Sequence, residues 1–100
     1  MTNQATQVTK SFGQRVRVLR ETIGLSRPKF ATAVGICPTT LKNYELNYRE
    51  LSIPSALAVS SCFKNEASVT LFILGLNDDF IRSITADQLR ATFTPKAERF

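Results

Sequence analysis

One hundred residues suffice for one small domain with a modest core. Apolar residues at 43% and charged residues at 21% are ordinary globular proportions and exclude wholesale disorder and low-complexity chains. The net charge of +5 favours an anionic partner, and the absence of histidine excludes imidazole metal sites, Ser–His and Cys–His catalysis and a histidine pH switch.

Met1 to Thr9 are polar and aperiodic, which predicts a flexible arm over 1–9. Phe12, Val16, Leu19 and Ile23 then recur as one face of a helix. Ser11 with Gln14 forms a capping-box pattern before it, and Gly24 is a suitable stop. Ser26 is the next N-cap, Pro28 falls in the first turn, and Phe30, Ala31 and Val34 mark an inner face that Gly35 ends. Cys37 caps a third helix opened by Pro38. Leu41 and Tyr44 face inward there, Thr39, Thr40, Lys42 and Asn43 stay outside, and Asn47 stops it. Ser52 caps a fourth helix, with Ile53, Leu57 and Phe63 expected in the core. Ser68–Leu74 suits either a buried strand or a helix, but no second strand-like run exists to pair with it, so a helix is expected. Asp78–Ile84 holds another turn or two. Thr85 and Gln88 form a second capping box, with Ile84 and Leu89 at staple positions, and a last helix runs to about Phe93 before Pro95 and a loose tail over 94–100. The expected class is all-α.

The charge is uneven along this chain. Met1–Arg49 carries eight Lys/Arg against two Asp/Glu, a net +6, whereas Glu50–Phe100 carries five against six, a net −1. An anionic partner is therefore expected at the first half. The two cysteines, Cys37 and Cys62, lack CxxC spacing and read as reduced thiols of a cytoplasmic protein. At a helix N-cap the dipole lowers a thiol pKa, which makes Cys37 a conceivable redox site, although a small capping residue is the simpler reading. The N-terminus shows no signal-peptide pattern, and Val69–Leu76 is too short to span a bilayer, which takes about 20 residues. Asp78 and Asp79 are adjacent carboxylates outside the basic half, and no phosphate loop or metal cluster is present. No enzymatic activity, metal or cofactor is expected.

The most informative segment is Arg27–Leu46, RPKFATAVGICPTTLKNYEL. Two short helices meet at a tight turn that needs a left-handed residue, Gly35, and only a small residue fits at their crossing, Ala31. Phe30, Val34, Ile36, Leu41 and Tyr44 fill the wedge beneath, which leaves the second helix a polar outer face of a kind that enters a DNA major groove.

With FGQRVRVLRETIGLS before this segment, FATAVGI and LKNYE within it, and LSIPSAL after it, the chain resembles the helix-turn-helix domain of lambda-type phage repressors and Cro proteins, the XRE-like regulators. The resemblance covers roughly Phe12 to Phe63, with a weaker echo to Gly75. It implies a small five-helix lambda-repressor-like domain over 10–66, followed by one or two extra C-terminal helices over 67–93. The chain departs from the family pattern at four places. Arg27 replaces a frequent glutamine, Asn47 a usual glycine, Leu51 a common proline, and Pro38 stands where many relatives carry a base-reading side chain.

By that resemblance Thr39, Lys42 and Asn43 face base edges, and Thr40 touches a base or a phosphate. Arg27, Lys29, Asn47, Tyr48 and Arg49 are phosphate candidates, while Arg15 and Arg17 either reach flanking phosphates or lie free in solvent. Arg20 and Glu45 occupy positions that often form a partly buried structural ion pair in the family. The expected function is a sequence-specific DNA-binding regulator, a phage- or plasmid-type repressor in the bacterial cytoplasm and nucleoid, controlled by its own concentration. Alternatives are an antitoxin that binds a toxin and its own operator, or a restriction–modification controller protein, which ELNYRELSIPSAL also resembles. The C-terminal third carries more large apolar residues than one short helix can hide, so a homodimer is expected through Phe72, Leu76, Phe80, Ile84 and Leu89, the first three sharing a face if the helix continues through Gly75. The competing expectation is that these residues complete a monomeric core.

Overall fold

Short polar side chains and left-handed residues set where the helices of this chain begin and end. The computed structural model describes residues 10–96, and among these it contains seven helices and no strand. The expected arm (1–9) and the end of the expected tail (97–100) lie outside the described residues. The helices are α1 (Phe12–Ile23), α2 (Arg27–Val34), α3 (Pro38–Glu45), α4 (Ile53–Ser60), α5 (Glu66–Ile73), α6 (Asp79–Ser83) and α7 (Ala86–Thr92). Both capping boxes form. Ser11 Oγ accepts from Gln14 N at 3.1 Å while Gln14 Oε1 accepts from Ser11 N at 2.8 Å, and Thr85 and Gln88 do the same at 3.1 and 2.9 Å. Ser26 and Ser52 cap α2 and α4 in the same manner without the reciprocal bond.

The longest helix, α1, is the centre of the fold and touches α3, α4, α5 and α7. Its Val16 and Leu19 are fully buried among Phe30, Val34, Leu41, Val59, Val69, Ile73 and Leu89. At its first turn the backbones of α1 and α3 come very close. A Cβ on Gly13 would stand 2.0 Å from the carbonyl oxygen of Tyr44, so no larger residue fits there without moving a helix.

The C-terminal helices close the same core that α1–α4 open. Leu89 of α7 is wholly buried, and Phe93 stacks on Phe30 with ring centroids 5.9 Å apart and meets Phe63 edge-on at 5.1 Å. An isolated antiparallel bridge joins Phe63 to Phe93. Lys64 N donates to Thr92 O at 2.9 Å and Thr94 N donates to Cys62 O at 2.6 Å. The expected loose tail is therefore tied down at its first residue.

Three expectations about faces are corrected. Ile53 and Leu57 are 54% and 48% exposed, and Ala56, Val59 and Ser60 form the inner face of α4 instead. The helix IPSALAVS is apolar on nearly every side, so periodicity does not choose its face. Phe12 is likewise exposed at the start of α1. Finally, Phe72, Leu76 and Phe80 do not share a helix face. The α5 helix ends at Ile73, and Gly75 adopts a left-handed φ of 79°. That turn folds Phe72 and Phe80 inward, with ring centroids 6.2 Å apart, and leaves Leu76 70% exposed. Of the five residues expected at a dimer interface, Phe72, Phe80 and Leu89 are thus buried within one chain.

Candidate nucleic-acid interface

The segment from α2 to α3 is built by backbone hydrogen bonds around one left-handed residue. Gly35 sits at φ 80°, and the N–H groups of Gly35 and Ile36 both reach Ala31 O at 2.9 Å. The chain then turns into α3, where Leu41 N donates to Cys37 O at 2.9 Å. Ala31 and Leu41 are fully buried at the junction. The inner face of α3 is Leu41, Tyr44 and Glu45. Its outer face carries Thr39 and Lys42, both exposed, with Thr40 and Asn43 half-buried beside them. Among the described residues the Lys42 and Asn43 side chains make no hydrogen bond or ion pair.

Beyond α3, Asn47 takes the left-handed conformation at φ 64°, and Tyr48 N donates to Asn43 O at 2.9 Å. This tight turn leaves Asn47, Tyr48 and Arg49 exposed in a row next to α3. The Arg49 guanidinium lies 5.9 Å from the centre of the Tyr44 ring. The Tyr44 hydroxyl and the Ser55 hydroxyl are 3.1 Å apart, which ties α3 to α4 and holds the phenol below its ordinary pKa. At the other end of α3, Cys37 is exposed and makes no cap bond of ordinary geometry. The N–H groups of Thr40 and then Thr39 nevertheless face its thiol and lower its pKa.

Beneath this surface lies a cluster of charge. Arg20 donates to Glu45 twice, Nε to Oε2 at 2.7 Å and Nη2 to Oε1 at 3.0 Å, and its Nη1 donates to Leu25 O at 2.8 Å. The expected pair of Arg20 and Glu45 is joined by a third member. Arg27 Nε also donates to Glu45 Oε1, at 2.8 Å. Arg27, a phosphate candidate by sequence, turns its Nε inward while its side chain stays 30% exposed. Eighteen residues separate it from Glu45, and no local sequence signal announces the contact.

Arg15 requires a full correction. It is buried rather than open to a phosphate, because the turn at Gly75 and the following α6 fold over it. Its Nη1 donates to Phe72 O at 3.3 Å and to Asp78 Oδ1, and its guanidinium lies 5.6 Å from the centre of the Phe72 ring. Arg17 remains half-exposed and pairs with Glu21 one turn along α1 at 3.0 Å. Lys29 is exposed on the first turn of α2.

No family model matches the chain, and no curated protein or solved structure matches it. Among the described residues no group of three or more Cys, Asp or Glu is placed to hold a metal ion, and no helix is long and apolar enough to cross a membrane.

Proposed function

We propose that this chain is a sequence-specific double-stranded DNA-binding regulator, a repressor of the lambda-type helix-turn-helix kind. One observation carries the reading. A short helix is anchored by Leu41, Tyr44 and Glu45 behind a tight glycine turn, and it turns a row of unspent polar side chains outward. Such a helix has the dimensions and the donors that a major groove accepts. Lys42 donates to guanine O6 and N7, Asn43 pairs with adenine N6 and N7, and the Thr39 methyl meets a thymine methyl, with Thr40 at the edge of the contact. Lys29, Asn47, Tyr48 and Arg49 hold phosphates and fix the register.

The protein acts as a homodimer on a roughly palindromic site, with half-sites about 34 Å apart. With Phe72, Phe80 and Leu89 spent inside the chain, Leu76 and the half-buried Ile84 remain for such a contact.

Selection of duplexes from a random pool gives a direct test. An inverted repeat is expected to enrich. On the enriched duplex Asn43→Ala and Lys42→Ala each lose about 1–3 kcal/mol, with little change on a scrambled one. A pool that never enriches defeats the proposal, and equal losses on both duplexes remove the two residues from base reading.

A further inference from the structure

We infer that Glu45 is a positioning residue for DNA: through its buried carboxylate it holds Arg27 so that the outer edge of the Arg27 guanidinium grips a backbone phosphate. The inference rests on the DNA-binding reading above and assigns work to a residue otherwise understood as structural.

The charge count comes first. The fully buried Glu45 meets two guanidinium groups, and Arg20 also lies 3.8 Å from Glu21, which pairs with Arg17 as well, so three arginines against two carboxylates leave the network one surplus positive charge. The geometry decides where that charge is presented. Arg20 is buried and committed on three of its nitrogens, to Glu45 and to Leu25 O. Arg27 commits only Nε, and its side chain is 30% exposed. Among the described residues Nη1 and Nη2 of Arg27 have no acceptor, so the surplus charge faces outward there.

The backbone makes this side chain necessary. Arg27 is the first residue of α2, where helix N–H groups and the dipole ordinarily attract an anion. In this chain Pro28 has no N–H, and the N–H of Lys29 is taken by Ser26 Oγ at 3.4 Å. Of the first three positions only the N–H of Arg27 itself is left. A phosphate at this end of α2 must therefore find its donors on a side chain. A guanidinium fits a phosphate with two parallel N–H groups, and one already pinned at Nε loses less freedom when it does so. Lysine cannot do both, because a single ammonium would be drawn to Glu45.

Binding of a random-sequence duplex of about 20 base pairs, followed by anisotropy between 50 and 200 mM salt at a temperature where each variant is folded by circular dichroism, tests the inference. Arg27→Ala is expected to flatten the slope of log affinity against log salt by about 1, and Arg27→Lys to flatten it nearly as much. Glu45→Gln is expected to weaken binding about threefold in the native background and to add nothing to Arg27→Ala. A native slope in Arg27→Lys, or an equal effect of Glu45→Gln in both backgrounds, overturns the positioning role. If Glu45→Gln does not fold, the Arg27→Lys slope decides alone. Lys42→Ala separates this inference from the reading beneath it. Where Lys42→Ala weakens binding to the enriched duplex and the Arg27 variants match native protein on the random one, only the inference falls; where native protein shows no salt-dependent binding, both fall.

Discussion

Two arginines five residues apart on α1 are buried to the same degree and solve the same problem differently. Arg20 turns toward α3 and meets a fully buried carboxylate, Glu45, with a backbone carbonyl taking a further N–H. Arg15 turns toward α5 and α6 and meets the Phe72 carbonyl, the Phe72 ring and Asp78, whose side chain is 52% exposed. Its Nε is buried with no acceptor among the described residues. At the first site the carboxylate itself is fully buried, so the Arg20–Glu45 contact has the worth of a buried pair whose partners cannot be removed singly. The second opens to water, which screens the pair and shares its hydrogen bonds. The comparison shows that α3 is anchored to α1 and α2 by a buried carboxylate, whereas Leu89 and Phe93 join the C-terminal segment to the core by apolar packing.

The sharpest way to break that contrast is Glu45→Ala. It strands the buried Arg20 guanidinium and is expected to cost about 3–5 kcal/mol, read as a large drop in the thermal midpoint. An unchanged midpoint would mean that the buried carboxylate contributes nothing. Leu89→Ala comes next, at about 2–5 kcal/mol, because it empties a fully buried site where α7 meets α1. The loss should appear in a single unfolding transition with the sedimentation coefficient of the folded protein unchanged; a change in assembly without a change in stability would return Leu89 to a dimer interface.

Asp78→Asn is expected to have the smallest effect, lowering the midpoint at neutral pH by less than either of these. The hydrogen bond from Arg15 holds the Asp78 carboxyl below its ordinary pKa. A carboxylate depressed in the folded state contributes stability above the unfolded value, near about 4, and loses it as the pH falls toward the folded value. The midpoints of native protein and Asp78→Asn should therefore converge on acidification below about 4. A gap that stays constant from neutral to acid pH would show that the stabilisation is not ionic.

Much of this architecture is decided within a few residues. Ser11 with Gln14, Thr85 with Gln88, and Gly35 and Asn47 are local signals, because a cap or a left-handed turn depends only on its immediate neighbours. The inner positions Val16, Leu19 and Ile23 of α1 and Leu41 and Tyr44 of α3 are legible for a related reason: they form one apolar stripe on each helix. The outward set Thr39, Lys42 and Asn43 follows from that alone. The resemblance to a repressor domain supplied the partnership of Arg20 with Glu45, which spacing does not reveal.

What the chain alone left open are the features that depend on where distant segments come to rest. Whether Arg15 meets solvent or protein is decided by Asp78, sixty-three residues away, and by Gly75, which turns what reads as a continuous helix face back onto the core. The face of α4 is decided by tertiary packing, since its apolar residues surround it. Arg27 gains a bond from its Nε to Glu45 that only the packing of α3 beneath α2 brings within reach. Local signals depend on backbone geometry and are short-ranged, so a sequence displays them directly. Burial of a charge or the choice between two apolar faces is a competition among distant surfaces for the same core, and it is resolved only when the helices pack.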